Sequence, residues 1–171
     1  MGRFINEMEL YRHCPYCGNS LILATIDNQQ VKKCQNCEFI FWNNPKPVVS
    51  IVIHKNGKVL LLKRTYEPFK NYWVLPGGYI TYSETPQAAV KREAKEEAGI
   101  EVEIQGIVGV YRIDNDPRGV GIDIIFYGTT DGVVTLSNED TEWKYFSPSI
   151  LPERIAYKHR EAIEEWHENK G

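Results

Sequence analysis

Three glutamates within one helical turn are the feature of this sequence best suited to chemistry. Glu93, Glu96 and Glu97 stand at i, i+3 and i+4, so on a helix their carboxylates share one face. Alone, such a face is more typical of a solvated helix surface, and its like charges repel. Divalent cations would relieve that repulsion, and Mg²⁺ is commonly shared between carboxylates and substrate phosphates. The spacing therefore indicates a site for phosphate chemistry with Mg²⁺ or Mn²⁺.

Residues just before this turn are suited to shaping such a site. Gly77 and Gly78 follow Pro76, and backbone without Cβ can bring a carbonyl close to a metal ion or ligand. Arg92 and Glu84 are expected to pair across the junction between loop and helix, where a charge-assisted contact would hold the loop in place. We assign this pair an orienting role.

The surrounding pattern predicts elements that would position these residues. Thr85 as N-cap, Pro86 at the first helical position and Gly99 as the stop bound a helix of about fourteen residues. Asn56-Gly57 between two apolar runs predicts a hairpin. The predicted strands are Val48–His54, Lys58–Lys63, Trp73–Leu75, Glu101–Tyr111, Gly121–Thr129 and Trp143–Phe146, with a second helix over Lys158–His167. This order favours a mixed α/β sandwich.

The segment from Gly78 to Ile100 resembles the Nudix box, Gly-x5-Glu-x7-Arg-Glu-U-x-Glu-Glu-x-Gly-U, in which U is a bulky apolar residue. Every fixed position is filled, and Ala94 at the first U position is a departure that concerns packing. The resemblance implies an α/β fold, the Nudix alpha-beta-alpha sandwich with a mixed sheet. It also implies hydrolysis of a nucleoside diphosphate linked to another group.

The resemblance assigns roles to individual residues. Glu93, Glu96 and Glu97 would be metal ligands together with the Gly77 carbonyl, and Glu93 is often the base that activates water. Family members differ on the base, and some use an acid from a later loop. The candidates for that alternative are Glu139, Asp140 and Glu142.

All four cysteines form two Cys-x-x-Cys pairs, Cys14 with Cys17 and Cys34 with Cys37, separated by sixteen residues. This spacing is typical of a tetrahedral zinc site rather than a disulfide framework. A segment of about 30 residues lacks the core to fold alone, so bound Zn²⁺ would supply the missing folding free energy. We predict a zinc ribbon over residues 1–43 and a Nudix hydrolase domain over residues 44–171.

A zinc ribbon joined to a Nudix box resembles a subgroup associated with ADP-ribose and FAD cleavage, which implies AMP and a phosphorylated product. Two alternatives stay open. The same box would serve a nucleoside triphosphate pyrophosphohydrolase, and the ribbon could instead make the chain a ligand-sensing or nucleic-acid-binding module.

Residues that would contact substrate have no motif of their own. Arg64 at a strand end could meet a phosphate, Gly78 could approach the ligand, and Tyr111 and Phe126 could stack on a base, although strand aromatics are more often core. The histidines at positions 54, 159 and 167 are expected on strand or helix surfaces.

Composition limits the partners. A formal net charge of −3 gives no basic field of the kind that draws a protein to nucleic acid or to an anionic membrane. Residues 1–47 hold five basic and four acidic side chains, a net of +1 that argues against nucleic-acid binding. No apolar run reaches membrane length, so we expect a cytoplasmic enzyme with a small nucleotide substrate. A homodimer is an expectation from the family.

Overall fold

The computed structural model describes residues 7–137 and 140–169. The chain divides into two compact units. The first unit consists of the chain up to Pro45 together with the short segment Pro117–Val120. The second unit consists of Lys46–Asp116 and the chain from Gly121 onward. Within the described ranges, the helices are too short or too polar to cross a membrane.

The first unit is a small antiparallel sheet beside the four cysteines. Its elements are α1 (Glu7–Leu10), β1 (Leu21–Ile26), β2 (Gln29–Cys34) and β3 (Ile40–Phe41), with the strands in the order β1-β2-β3. In the sequence, the short runs at 21–24 and 31–33 predict a hairpin of two strands here. Strand β3 was not predicted, because two residues are too few to show an alternation of apolar and polar side chains.

The second unit is built on one mixed sheet. Its elements are β4 (Lys46–Lys55), β5 (Lys58–Arg64), β6 (Trp73–Val74), β7 (Gly77–Tyr79), α2 (Pro86–Ala98), β8 (Glu103–Ile113), β9 (Gly121–Thr129), β10 (Asp140–Phe146) and α3 (His159–Glu168). The main strand order is β10-β5-β4-β9-β8, while β6 pairs with β5 and β7 pairs with β4. The β4–β9 pair is parallel and the other pairs are antiparallel.

Each face of this sheet is covered by one long helix. Successive residues of a strand point to opposite faces, and β4 accordingly sends Val49, Ile51 and Ile53 into a core shared with α2. Val52 points the other way and packs with Ala162, Ile163 and Trp166 of α3. The predicted alpha-beta-alpha sandwich with a mixed sheet is confirmed.

Most predicted strands differ by one to three residues at their ends: β8 begins at Glu103 rather than Glu101, and β10 begins at Asp140 rather than Trp143. The two prolines of residues 43–47 predict a short, stiff linker, but β4 begins at Lys46, and Pro47 pairs with Ile122 of β9. Proline is tolerated near the start of a strand, where few ladder bonds require its missing N–H. Strand β7 was not predicted, because Gly-Gly-Tyr has none of the β-branched character that signals a strand.

Candidate active site and metal centre

Helix α2 begins and ends at the residues that its sequence specifies. Thr85 Oγ1 accepts a hydrogen bond from the Ala88 N–H at 3.2 Å, and Pro86 occupies the first turn. Gly99 has φ of 69°, a left-handed conformation that suits glycine, and closes the helix. Ala94, the departure from the box pattern, is fully buried in the core, where its small side chain is accommodated.

The guanidinium of Arg92 contacts three of the four glutamates of the box. It donates to Glu84 through two nitrogens, at 3.1 and 2.8 Å, and to the carbonyl oxygen of Tyr79 at 3.1 Å. Its Nη1 donates to Glu93 at 2.7 Å and to Glu96 at 2.9 Å. Arg92 therefore joins the loop before α2 to the helix face that carries the glutamates.

Glu97 points to the other side of the same site. It is only 9% exposed, and its Oε2 accepts a hydrogen bond from the Gly77 N–H at 2.9 Å. The N–H and C=O of one strand residue point to the same edge of the strand. The Gly77 carbonyl is therefore on the edge that faces α2.

The two glycines lie between β4 and the glutamates with no room for a side chain. A Cβ on Gly77 would stand 2.2 Å from the Val49 carbonyl oxygen. A Cβ on Gly78 would stand 2.4 Å from Oε1 of Glu93. Residues 76–78, which lie at the start of strand β7 and are called the glycine turn below, are thus in direct contact with the carboxylate face of α2.

These contacts predict opposite outcomes for two alanine substitutions. Gly78→Ala should displace the flexible Glu93 carboxylate, so kcat should fall about tenfold or more while the unfolding midpoint changes little. Gly77→Ala collides with strand backbone, which cannot move aside, so it should destabilise the protein. Steady-state kinetics and thermal unfolding of both variants separate the two effects. Equal loss of stability in both variants would contradict this prediction.

The Arg92 contact also predicts how Glu84 responds to acid. Its hydrogen bond to Arg92, helped by the N–H of Thr81, lowers the pKa of Glu84 from 4.5 to about 2. Because the folded-state pKa is depressed, the contact contributes its full stability above pH 4.5, and that contribution is lost as the pH falls toward about 2.

The test compares unfolding free energies of wild type and Glu84→Gln across this pH range. The difference between the two proteins should be constant above pH 4.5 and should shrink below it. Glu101→Gln is a matched control, because that side chain is 79% exposed and pairs with Lys95 outside the loop. A difference that stays constant between pH 4.5 and 2 would show that the loop does not depend on this charge.

The ligand atoms of the three box glutamates do not form one compact cluster in this structure. Within residues 7–137 and 140–169, the four cysteines form the only group of three or more potential ligand side chains whose atoms all lie within 4.8 Å of one another. Glu93 and Glu96 contact Arg92, and Glu97 contacts Gly77. The donor set nevertheless fits Mg²⁺, which takes oxygen ligands from one or two carboxylates and retains several waters.

The cysteines form a compact cluster of thiols that could hold a metal ion. Sγ of Cys14 and Sγ of Cys37 are 3.5 Å apart, as are those of Cys17 and Cys34. A hydrogen bond from the backbone of Asn19 lowers the pKa of the Cys17 thiol to about 6, whereas burial and the neighbouring thiols raise the pKa of Cys37 to about 12. Without a metal ion, the thiolate form is therefore favoured at Cys17 and disfavoured at Cys37.

The predicted substrate residues have unequal environments. Phe126 is 2% exposed within the core, so the expectation that it stacks on a base is wrong. The Tyr111 hydroxyl donates to Glu165 of α3, which ties that ring to the helix. Arg64 is 7% exposed, its Nε donates to the Pro68 carbonyl oxygen at 3.1 Å, and its guanidinium stacks 4.3 Å from the Tyr66 ring.

The candidates for an alternative base differ in burial and in their partners. Asp140 is 9% exposed and opposes Arg64 at the start of β10. Glu142 is exposed and pairs with Lys63 at 3.2 Å. Glu139 lies outside the described residues.

A buried polar cluster lies where the sequence predicts no site. His159 was expected on a helix surface, but it is 3% exposed and contacts Ser50 and Asp123, which are 2% and 0% exposed. The surface expectation was wrong because His159 opens α3 on the face that packs against the sheet. The available signal was a polar residue between two apolar neighbours inside each strand, Ser50 in β4 and Asp123 in β9.

Comparisons with known proteins agree with this geometry. The NUDIX domain model matches residues 44–166. An ADP-ribose pyrophosphatase of Methanocaldococcus jannaschii is 34% identical over 138 residues, which cover 80% of this chain and 81% of that protein. A MutT-like protein of Streptomyces ambofaciens is 34% identical over 109 residues, covering 64% and 68% of the two chains.

A solved structure extends the similarity beyond the matched domain. The crystal structure of a NUDIX hydrolase from Nitrosomonas europaea has a TM-score of 0.80 at 27% identity and covers 93% of this chain and 92% of that one. From its complete box, its sandwich fold and these matches, the chain belongs to the Nudix hydrolase family.

Proposed function

We propose that this hydrolase cleaves the diphosphate bond of a nucleoside diphosphate linked to another group, with Mg²⁺ as its cofactor. ADP-ribose or an FAD-like molecule would be the substrate, giving AMP and a phosphorylated product. The observation that carries the proposal is the contact between the glycine turn and the acidic face of α2. The relative from Methanocaldococcus jannaschii, named an ADP-ribose pyrophosphatase, supports the choice of substrate.

The residues of the proposed site would bind the metal ion and accept a proton from the attacking water. Glu93, Glu96, Glu97 and the Gly77 carbonyl would hold Mg²⁺. When bound, Mg²⁺ would neutralise the diphosphate charge and lower the pKa of a bound water. Glu93 would accept the proton of the attacking water, with Asp140, Glu142 and Glu139 as alternatives.

Arg92 would act on these carboxylates rather than on substrate. Its bonds to Glu84 and to the Tyr79 carbonyl oxygen anchor the guanidinium from the loop side, which leaves Nη1 directed at Glu93 and Glu96. Metal binding would exchange these Nη1 contacts for oxygen–metal bonds. Arg92 would then keep the loop in place through Glu84.

Arg64 is our candidate for a phosphate contact. A guanidinium binds phosphate through paired N–H donors. Among the described residues, Nη2 of this buried side chain has no hydrogen-bond partner, and a buried donor left unpaired is unfavourable. A phosphate oxygen would satisfy it.

We propose that the cysteine cluster binds one structural Zn²⁺. Four thiolates complete a tetrahedral site and leave no open position for chemistry. We retain residues 1–43 as the ribbon and residues 44–171 as the hydrolase domain.

The substrate proposal is tested with a panel of dinucleotides, nucleotide sugars and nucleoside triphosphates in Mg²⁺. AMP released from ADP-ribose or FAD would support it. A nucleoside monophosphate with pyrophosphate, formed from a triphosphate alone, would show the alternative pyrophosphohydrolase activity. No turnover of any compound, with Glu97→Gln indistinguishable from wild type, would overturn the proposal.

A further inference from the structure

A buried polar cluster lies beneath the glycine turn and joins three elements of the second unit. Ser50 of β4 donates to Oδ2 of Asp123 in β9 at 2.9 Å. Nε2 of His159, the first residue of α3, lies 3.2 Å from Ser50 Oγ and 3.4 Å from Asp123 Oδ2. All three side chains are at most 3% exposed, so none can serve as a nucleophile for a ligand from solvent.

The cluster reaches the glycine turn through His159. Nδ1 of this ring accepts a hydrogen bond from the Leu75 N–H at 2.9 Å. An accepting Nδ1 carries no proton, so in the neutral ring the proton is on Nε2, the nitrogen that faces Ser50 and Asp123. The Asp123 carboxylate, 3.4 Å from Nε2, stabilises a proton on that nitrogen and so favours the tautomer that can bind Leu75.

Three successive backbone contacts then hold the turn. Leu75 is bound by His159, the Pro76 carbonyl oxygen accepts from the Ile51 N–H at 3.0 Å, and the Gly77 N–H donates to Glu97. Leu75 is 1% exposed, so without His159 its N–H would be a buried donor with no acceptor. An apolar residue at position 159 could fill the space but could not accept this bond.

We propose that His159 is a positioning residue that fixes the Leu75 peptide and, through it, places the Gly77 carbonyl for the catalytic metal ion. This inference rests on the proposed metal site. Residues of this kind, which orient a ligand without touching the metal, typically alter metal affinity or activity by about 10- to 100-fold when replaced.

Two near-isosteric substitutions of His159 test the roles of its two ring nitrogens separately. In His159→Asn the amide oxygen stands near the position of Nδ1 and can still accept from Leu75. In His159→Gln the amide stands near Nε2 and can still contact Ser50 and Asp123, but Leu75 loses its acceptor. Mn²⁺ binding to the substrate-free protein should weaken about tenfold or more in His159→Gln and change little in His159→Asn. In the Gln variant kcat should fall with KM nearly unchanged.

Ser50→Ala is the matched control for loss of stability. It removes a hydroxyl from the same cluster but leaves the bond between His159 and Leu75, so it should lower the unfolding midpoint without lowering Mn²⁺ affinity. If Mn²⁺ affinity follows the unfolding midpoint across the three variants, His159 is structural only and the proposal is wrong. If wild type itself neither binds Mn²⁺ nor turns over substrate, the proposed function fails, and this inference fails with it.

A spectroscopic measurement covers the case in which His159→Gln does not fold. In isotope-labelled wild type, the bond predicts a scalar coupling between the Leu75 amide nitrogen and Nδ1 of His159, and chemical-shift changes at both Leu75 and Gly77 as Mg²⁺ is added. Absence of the coupling, or a Leu75 amide that ignores Mg²⁺ while Gly77 responds, would overturn the proposal.

Discussion

Replacing Glu97 with glutamine is expected to lower kcat by roughly 10²- to 10³-fold with the fold unchanged. A metal ion contributes several kcal/mol of transition-state charge stabilisation, and about 1.4 kcal/mol corresponds to a factor of ten in rate. The glutamine oxygen can still accept the Gly77 N–H that Glu97 binds at 2.9 Å. The substitution therefore removes the charge that a cation needs while keeping the contact that holds the turn.

Steady-state kinetics over a range of Mg²⁺ concentrations, together with the unfolding midpoint, would check this result. Glu101→Gln serves as control, because it removes one negative charge at an exposed position just beyond α2. A Glu97→Gln enzyme that keeps wild-type kcat at low Mg²⁺ would remove Glu97 from the metal site. A large loss of stability would instead assign Glu97 a structural role.

Removal of the metal from the cysteine cluster should unfold the sheet of the first unit. Among the described residues of this unit, the buried hydrophobic cluster consists of Cys14, Leu21 and Cys34, two of which are proposed metal ligands. Val31 is the one further buried apolar residue described there. Such a core cannot offset the entropy of ordering about 30 residues. Structural zinc contributes on the order of 10–16 kcal/mol in comparable small domains, which exceeds the stability of most whole domains.

Metal analysis of the purified protein should find one zinc per chain. Amide hydrogen exchange should show that β1 and β2 lose protection when a strong chelator is added, and that Cys34→Ser produces the same loss without chelator. The strands of the second unit, which contain a separate core, should keep their protection. Protected β1 and β2 amides in a demonstrably zinc-free protein would contradict the prediction.

The sequence predicted which helix face carries the site glutamates better than it predicted the contacts that their side chains make. A helix spacing of i, i+3 and i+4 fixes which side chains share a face, and Thr85, Pro86 and Gly99 fix where that helix lies in the chain. The fold class could be predicted from the order of the strands and helices along the chain. The long apolar runs of β4 and β5 are typical of central strands, and both are mostly buried.

Two kinds of contact could not be predicted from the sequence: how one guanidinium is shared among neighbouring carboxylates, and which distant residues pair. Arg92 contacts Glu93 and Glu96 as well as Glu84, and side-chain geometry rather than spacing decides how one guanidinium is shared. The contact of His159 with Ser50 spans 109 residues. No local pattern encodes such a pairing, and a polar residue within an apolar strand shows only that some partner is needed.

Phe126 illustrates the converse error. An aromatic residue in a strand can face a ligand or the core, and the periodicity of β9 does not decide between them, because both faces of this central strand are covered. Burial by α2 and the neighbouring strands decided it.

The central claim is that Glu93, Glu96, Glu97 and the Gly77 carbonyl together bind divalent ions. Anomalous diffraction from crystals soaked in Mn²⁺ measures this directly. We predict an anomalous peak between these four groups, with the Glu93 and Glu96 carboxylates turned from Arg92 toward the ion. Crystals saturated with Mn²⁺ that show no peak there, and carboxylates still bound to Arg92, would contradict the account.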